Sequence, residues 1–404
     1  MKQQKLLFIV PLFLAFSMVY GQDTTQTETN MKLFSAVPGN TKMLLTGVGW
    51  FGFQAHLNTT DKTIPKTTFN DFGFSPMFLW KLSDKFFFES EIEIMNDGTA
   101  DNSAAFDLEY AKLSYSVNKY ITIGAGKMLS PFGAYNERWE PNHIEKFPNA
   151  PLRPDDGVLP DDTHLFWGAV MGIDVRGGLP MGSVKMNYCL YVSNGPKLHT
   201  EKDLGGILQY ENWNDNNSNK EVGGRIGFLP FTNSSLEIGF SGKYGIAGNE
   251  GDSLYKKIGA TAYAVDLSYI KSIEAIKSTI NFRGQFNSVT VDKANYPLTD
   301  STTYTFDNTL QSYFAQFTFR PSMAHSKFLK KTELMFRYSV VTPPKDAVWC
   351  PKNENGQGGN ITRMDIGLCY WLSWRTGLRF AYEIQTMPDG TRQKEFLVRF
   401  ATGF

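Results

Sequence analysis

Residues 71–95 read "DFGFSPMFLWKLSDKFFFESEIEIM", two alternating runs that meet across a two-residue break. In the first run Phe72, Phe74, Phe78, Trp80 and Leu82 fall on one face. In the second, Phe86, Phe88, Ile92 and Ile94 alternate with Glu89, Glu91 and Glu93. A period of two marks strands with different surroundings on their two sides, and a break of only Ser83 and Asp84 joins them as a hairpin. One face is apolar. The other carries three carboxylates in a row.

The pattern continues in both directions. "LLTGVGWFGFQAHL", Leu44–Leu57, precedes the hairpin strands Asp71–Leu82 and Lys85–Met95. Further strands are expected at about 106–117, 120–128, 166–179, 184–194, 221–229, 235–244, 259–270, 278–290, 310–320, 331–341, 361–372, 376–385 and 393–404, sixteen in all. Connections such as "SD", "NK", "PMGS" and "SWRT" after even-numbered strands are short, whereas those after odd-numbered strands are longer and polar. No segment has a convincing helical period.

The mixed face repeatedly carries charge, as in Asp174 with Arg176, Lys185 with Asn187, Asn281 with Arg283 and Gln285, and Arg363 with Asp365. A dry sandwich core would not tolerate these groups. A water-filled barrel would, and the opposite faces, such as Met364, Ile366, Leu368, Tyr370 and Leu372, suit lipid. The expected fold is an all-β, 16-stranded antiparallel transmembrane β-barrel with short periplasmic turns and long extracellular loops, in a bacterial outer membrane. The last run, "RQKEFLVRFATGF", puts Phe396, Val398, Phe400, Thr402 and Phe404 on one side. An aromatic residue closing such a strand resembles the signal read by outer-membrane barrel-assembly machinery.

The first residues, "MKQQKLLFIVPLFLAFSMVYGQ", place Lys2 and Lys5 before an apolar run from Leu6 to Val19, with Val19 and Gly21 small before Gln22. That is the form of a secretory signal peptide. The expected organisation is a signal peptide over 1–21, a polar leader over 22–43 and one barrel domain over 44–404. Without Lys2 and Lys5 there remain 38 basic against 40 acidic residues, a near-neutral balance that argues against nucleic acid. Cys189, Cys350 and Cys369 are an odd number and form no complete disulfide framework, with Cys350 and Cys369 a candidate pair.

Four stretches carry a resemblance. "GKMLSPFGAYNERWEPNHIEKFPNAPLRP" (Gly126–Pro154) and "GAVMGIDVRGGLPMGSVKMNYCLYVSNGP" (Gly168–Pro196) are similar to the phosphate-selective porin O and P family. "EVGGRIGFLPFTNSSLEIG" (Glu221–Gly239) and "GLCYWLSWRTGLRFAYE" (Gly367–Glu383) agree with it. The resemblance implies a 16-stranded porin, trimeric, passing small polar or anionic solutes by diffusion. Phosphate-selective members line the pore densely with arginine and lysine. This sequence departs from them, with Glu89, Glu91, Glu93, Asp174, Glu237, Asp266, Glu333, Asp365 and Glu383 on the expected lumen face.

Residues 129–165 form the longest connection, and they follow the fifth strand, where porins fold a loop inward. Loops of that length are functional or disordered, and six prolines with Phe132, Trp139 and Phe147 favour a fixed shape. A constriction loop is expected, with an external cap as the alternative. Expected pore-lining residues are Glu89, Glu91, Glu93, Asp174, Arg176, Lys185, Arg225, Arg283, Arg337, Arg363, Arg379 and Arg399. With Arg320, the arginines of the last six strands share one wall, either drawing anions or pairing with acids such as Glu333 or Glu383. Arg283, Arg337 and Arg399 fall near mid-height, and the expected consequence is a mild anion preference. Glu89, Glu91 and Glu93 form a contrasting patch that either sets up a transverse field or is plain hydrated wall.

Asp155, Asp156, Asp161 and Asp162 cluster without the EF-hand spacing, so no metal is assigned to them. His56, His143, His164, His199 and His325 are scattered and none sits in a nucleophile motif. "GVGWFG", Gly47–Gly52, has no following helix and is strand rather than dinucleotide loop. No enzyme activity and no cofactor is expected. The function expected is a channel, the alternative being a structural or adhesive barrel with a plugged lumen.

Overall fold

The computed structural model describes residues 41–58, 65–96, 104–140, 144–154, 159, 168–210, 213–299 and 301–404. The expected signal peptide, nearly all of the leader, and Asp155, Asp156, Asp161 and Asp162 lie outside the described residues.

Sixteen antiparallel strands close one barrel. They are β1 (Lys42–His56), β2 (Thr67–Lys81), β3 (Phe86–Asn96), β4 (Ala104–Asn118), β5 (Ile121–Leu129), β6 (Ala169–Met181), β7 (Val184–Asn194) and β8 (Lys220–Leu229). The second half holds β9 (Leu236–Ile246), β10 (Gly259–Ile273), β11 (Ser278–Val291), β12 (Thr309–Arg320), β13 (Thr332–Thr342), β14 (Ile361–Trp371), β15 (Thr376–Thr386) and β16 (Arg392–Gly403). The expected number and order hold. β2 starts four residues early, because past an irregularity at Gly52 to Gln54 its polar start still pairs with β1, Thr68 opposite Gln54.

The seam pairs β1 with β16 from Val48 opposite Gly403 to His56 opposite Glu395. Phe404 extends it: its N–H donates to Gly47 O at 3.0 Å, and its ring stacks on Phe74 at 5.5 Å. The shared face of antiparallel partners fixes which side is which. Arg399, Gly52 and Asp71 are registered together on the inner face, while Phe72, Phe240, Ile366 and Phe400 stand exposed outside. Such an uncovered apolar belt around a closed barrel is what hydrocarbon requires.

Further local features depart from the alternation. β3 and β4 shift register at Glu91/Ile92, and the extra residue of this bulge is Glu109. The β12–β13 connection carries one short helix, α1 (Lys327–Lys331), capped by Ser326, whose Oγ accepts from Leu329 N. At the end of the barrel where the long loops lie, Tyr255, Tyr296, Phe306 and Ala347 form an apolar cluster. Tyr255 stacks on Tyr296 at 5.8 Å, and Trp349 Nε1 donates to Gly205 O at 3.1 Å.

Candidate functional site: a loop folded across the lumen

The connection after β5 turns in at once. Ser130 N donates to Gly168 O at 3.1 Å, closing the base of the loop. Gly133 has φ +73°, and a Cβ there would lie 2.3 Å from Gln285 Nε2, so only glycine lets the backbone come this close to β11. Gly133 N then donates to Ser241 Oγ at 3.0 Å, and Gln285 Oε1 accepts from Ala134 N and Tyr135 N at 2.8 and 2.9 Å.

A single π-helical turn, Tyr135–Trp139, follows. Tyr135 and Trp139 set their rings edge-on against Phe314 of β12, at 5.5 and 6.1 Å. From the same turn Arg138 donates to Glu237 at 2.6 Å and to Asn187 at 3.1 Å, while Glu137 accepts from Arg176 at 2.6 Å.

Farther along, Glu145 accepts from Gln316 Nε2 at 3.2 Å and Lys146 pairs with Glu333. Phe147 is fully buried against Met335, Cys369 and Ala381. Asn149 Nδ2 donates to Asp365 at 2.9 Å and to Glu383 at 2.5 Å, and Arg337 Nη2 donates back to Asn149 Oδ1 at 2.6 Å. One short segment thus touches inward-facing residues from β6 round to β15. In a closed barrel only a chain crossing the interior reaches so many strands on one face.

The loop decides the surroundings of the wall arginines. Arg225 grips Asp266 through Nε and Nη2 at 2.9 and 2.6 Å. Arg337 pairs with Asp365, and Arg363 with Glu383 at 3.2 Å. Arg283 lies under the Trp139 ring at 5.7 Å, and Arg379 is buried beside Cys369. Each of these five is at most 7% exposed. Arg320 donates to Lys330 O at the turn end, and Lys185 reaches Thr232 O and Ser234 there, both away from the loop.

The other half of the wall stays partly open. Glu89, Glu91 and Glu93 are half-buried on β3, and so is Arg399, which holds Asp71 at 2.6 Å. Arg176 is likewise half-buried, whereas its partner Asp174 is buried and also takes Lys112 Nζ at 2.8 Å. A cavity of about 300 Å³ opens beside the π-helical turn, lined by Glu137, Arg138, Arg176, Asn187 and Arg225 among others. All three cysteines are free and buried, so the candidate Cys350–Cys369 pair is not made.

Sequence reasoning missed several participants. Asn149, Arg138 and Lys112 sit in ordinary loop or strand contexts and acquire roles only through distant partners, and Gln285, read only as a polar residue of the mixed face, becomes a loop anchor in the same way. Glu140, at the end of the π-helical turn, has its carboxyl pushed up to about 7 by burial and by Glu109 and Glu91, against the pull of Arg153.

No family profile and no curated protein matches the sequence. Solved structures do match the fold. The outer-membrane channel DcaP of Acinetobacter baumannii superposes with TM-score 0.55 at 13% identity, over 90% of this chain and 97% of that one. The anion-selective porin of Comamonas acidovorans gives TM-score 0.56 at 12% identity, over 90% and 100%. OmpF of Salmonella typhi, in complex with daunomycin, gives 0.55 at 13%, over 90% and 98%. At such identities the likeness is one of fold: a 16-stranded porin-type barrel.

Proposed function

We propose that this chain is an outer-membrane porin through which small polar solutes diffuse passively. The observation that carries the reading is the asymmetric seat of the loop. Among the described residues its anchors lie on the wall from β6 to β15, and half-buried polar side chains such as Gln54, Asp71, Glu89, Glu91, Glu93 and Arg399 stand on the inner faces of β16 and β1–β3. A water path therefore runs between the loop and that open wall, with the loop as its constriction. Glu89, Glu91, Glu93, Arg176 and Arg399 line the path, facing Glu137 and Arg138 of the loop. Asp174, Arg225, Arg283, Arg337, Arg363 and Arg379 brace the wall and the loop rather than meeting solute, and Lys185 stands at the mouth.

The exposed apolar belt faces lipid, the short turns face the periplasm and the long loops face outward. Phe404 at the seam acts as the assembly signal for barrel-assembly machinery. A homotrimer is the proposed assembly, in keeping with an OmpT structure from Vibrio cholerae described as a trimer form. Phosphate specificity is not favoured, because the basic residues expected to supply it are largely neutralised by acids.

Planar-bilayer recording tests the reading: large ohmic steps are expected. The apolar roof of Tyr255, Tyr296, Phe306 and Ala347 favours the second reading, a plugged barrel with a structural or adhesive role. Near-zero conductance from folded protein would establish that reading instead.

A further inference from the structure

We infer that the open path favours cationic solutes, from inorganic cations to small alkylammonium compounds, because the loop takes the arginine wall out of water and leaves a carboxylate-lined wall in it. The inference deepens the porin reading and rests on it.

The two halves of the lumen differ in neutralisation as well as exposure. On the covered half Arg225, Arg337 and Arg363 are matched by Asp266, Asp365 and Glu383. On the open half Asp71 is matched by Arg399, Asp107 by Lys127, and Asp174 by Lys112 and Arg176, while Glu395 holds His56 at 2.8 Å. Glu89, Glu91, Glu93 and, from the loop, Glu140 make no ion pair with any described residue. The positive charges acting on Glu89 are Lys112 and Arg176, both already engaged by Asp174.

These carboxyls also converge. The bulge turns Glu109 towards Glu93, so that carboxyl groups of both strands crowd one side of the lumen. Ser75 Oγ donates to Glu91 on the other side. Glu140 of the loop lies close enough to feel Glu109, Glu91 and Glu145 as like charges and Arg153 as an opposite one. A solute passing between loop and β3 thus meets excess negative charge within a screening length of about 8 Å, where wall charges govern partitioning. An ammonium group replaces the missing counter-charge; an anion meets repulsion with the nearby guanidinium groups already occupied.

The convergence makes the preference depend on pH. Glu140 sits near 7 through burial and its acidic neighbours, so the strip gains charge as pH rises through neutrality.

The test is reversal potential in a KCl gradient across planar bilayers holding the full chain. Wild type should show K⁺ preference over Cl⁻ at pH 8, falling roughly twofold or more at pH 5. Methylammonium in place of K⁺ should permeate well. The triple variant Glu89→Gln/Glu91→Gln/Glu93→Gln, which removes repulsion and keeps side-chain size, should lose at least half of the preference at pH 8. A conducting wild-type pore with zero or Cl⁻-preferring reversal potential overturns the inference while leaving the porin reading intact. So does a conducting triple variant with unchanged preference. Absence of conductance overturns the porin reading, and the inference with it.

Discussion

Arg337 and Asp365 stand directly opposite each other on β13 and β14, joined from Nε to Oδ2 at 2.9 Å, and neither side chain retains any exposure to solvent. Asn149 of the loop bonds both, so the pair clamps the loop to the wall. Asp365→Asn leaves a guanidinium buried with a weakened partner and is expected to cost about 3–5 kcal/mol. Arg337→Met/Asp365→Leu, which removes both charges, should recover much of that loss. Denaturant midpoints in detergent compare them; an unaltered midpoint for Asp365→Asn would show the pair to be dispensable.

Gln285 holds two successive backbone N–H groups of the loop with one oxygen. Gln285→Leu strands both donors, at about 1–3 kcal/mol for each. The loop should loosen, and single-channel conductance should rise or become noisy. A trace indistinguishable from wild type would mean that other anchors suffice.

Phe404 contributes a stacked ring and a carbonyl that accepts from Gly47 N at 3.3 Å and from Arg375 Nη1 at 3.2 Å. Deleting Phe404 should lower the amount of heat-modifiable barrel in cells while export continues. Undiminished barrel would remove its assembly role.

Sidedness is checked by labelling whole cells. An epitope in the connection between β11 and β12, residues 292–308, should bind antibody, and one in the turn 372–375 should not. Reversed labelling would invert the barrel in the membrane.

Glu140 gives a pH signature in stability. Its carboxyl lies near 7 when folded, above its ordinary 4.5, so between these values the folded state holds the extra proton. Its contribution is therefore lost as pH rises from about 4.5 to about 7. Thermal midpoints of wild type should decline across that window, and those of Glu140→Gln should decline less. Parallel profiles would assign the decline to other carboxyls.

The barrel was legible because alternation is a local property. Each strand announces its two faces within about ten residues, as Phe88 and Glu89 do, and the strand count follows without knowledge of any contact. The loop's path was not legible, because Ala134 and Gln285 are 151 residues apart and neither residue type signals the other. The arginines show the division clearly. Period two gives the face of Arg225, Arg283 and Arg363, but whether they meet water depends on which part of the wall the loop covers. Glu109 escaped for another reason: a bulge adds one residue and flips the expected side. α1 is one turn, too short to show a helical period.

The stretch from Ser130 to Pro154 carries Glu137, Glu140 and Glu145 against Arg138, Lys146 and Arg153. Moving one elementary charge through 100 mV is worth about 2.3 kcal/mol, so a loop bearing surplus charge would be dragged along the field. With these carboxylates ionised this stretch bears none, and the membrane potential exerts no net pull on it as a body. Any pull of the field on the whole connection would then come from Asp155, Asp156, Asp161 and Asp162, which follow this stretch and carry four carboxylates without a lysine or arginine among them.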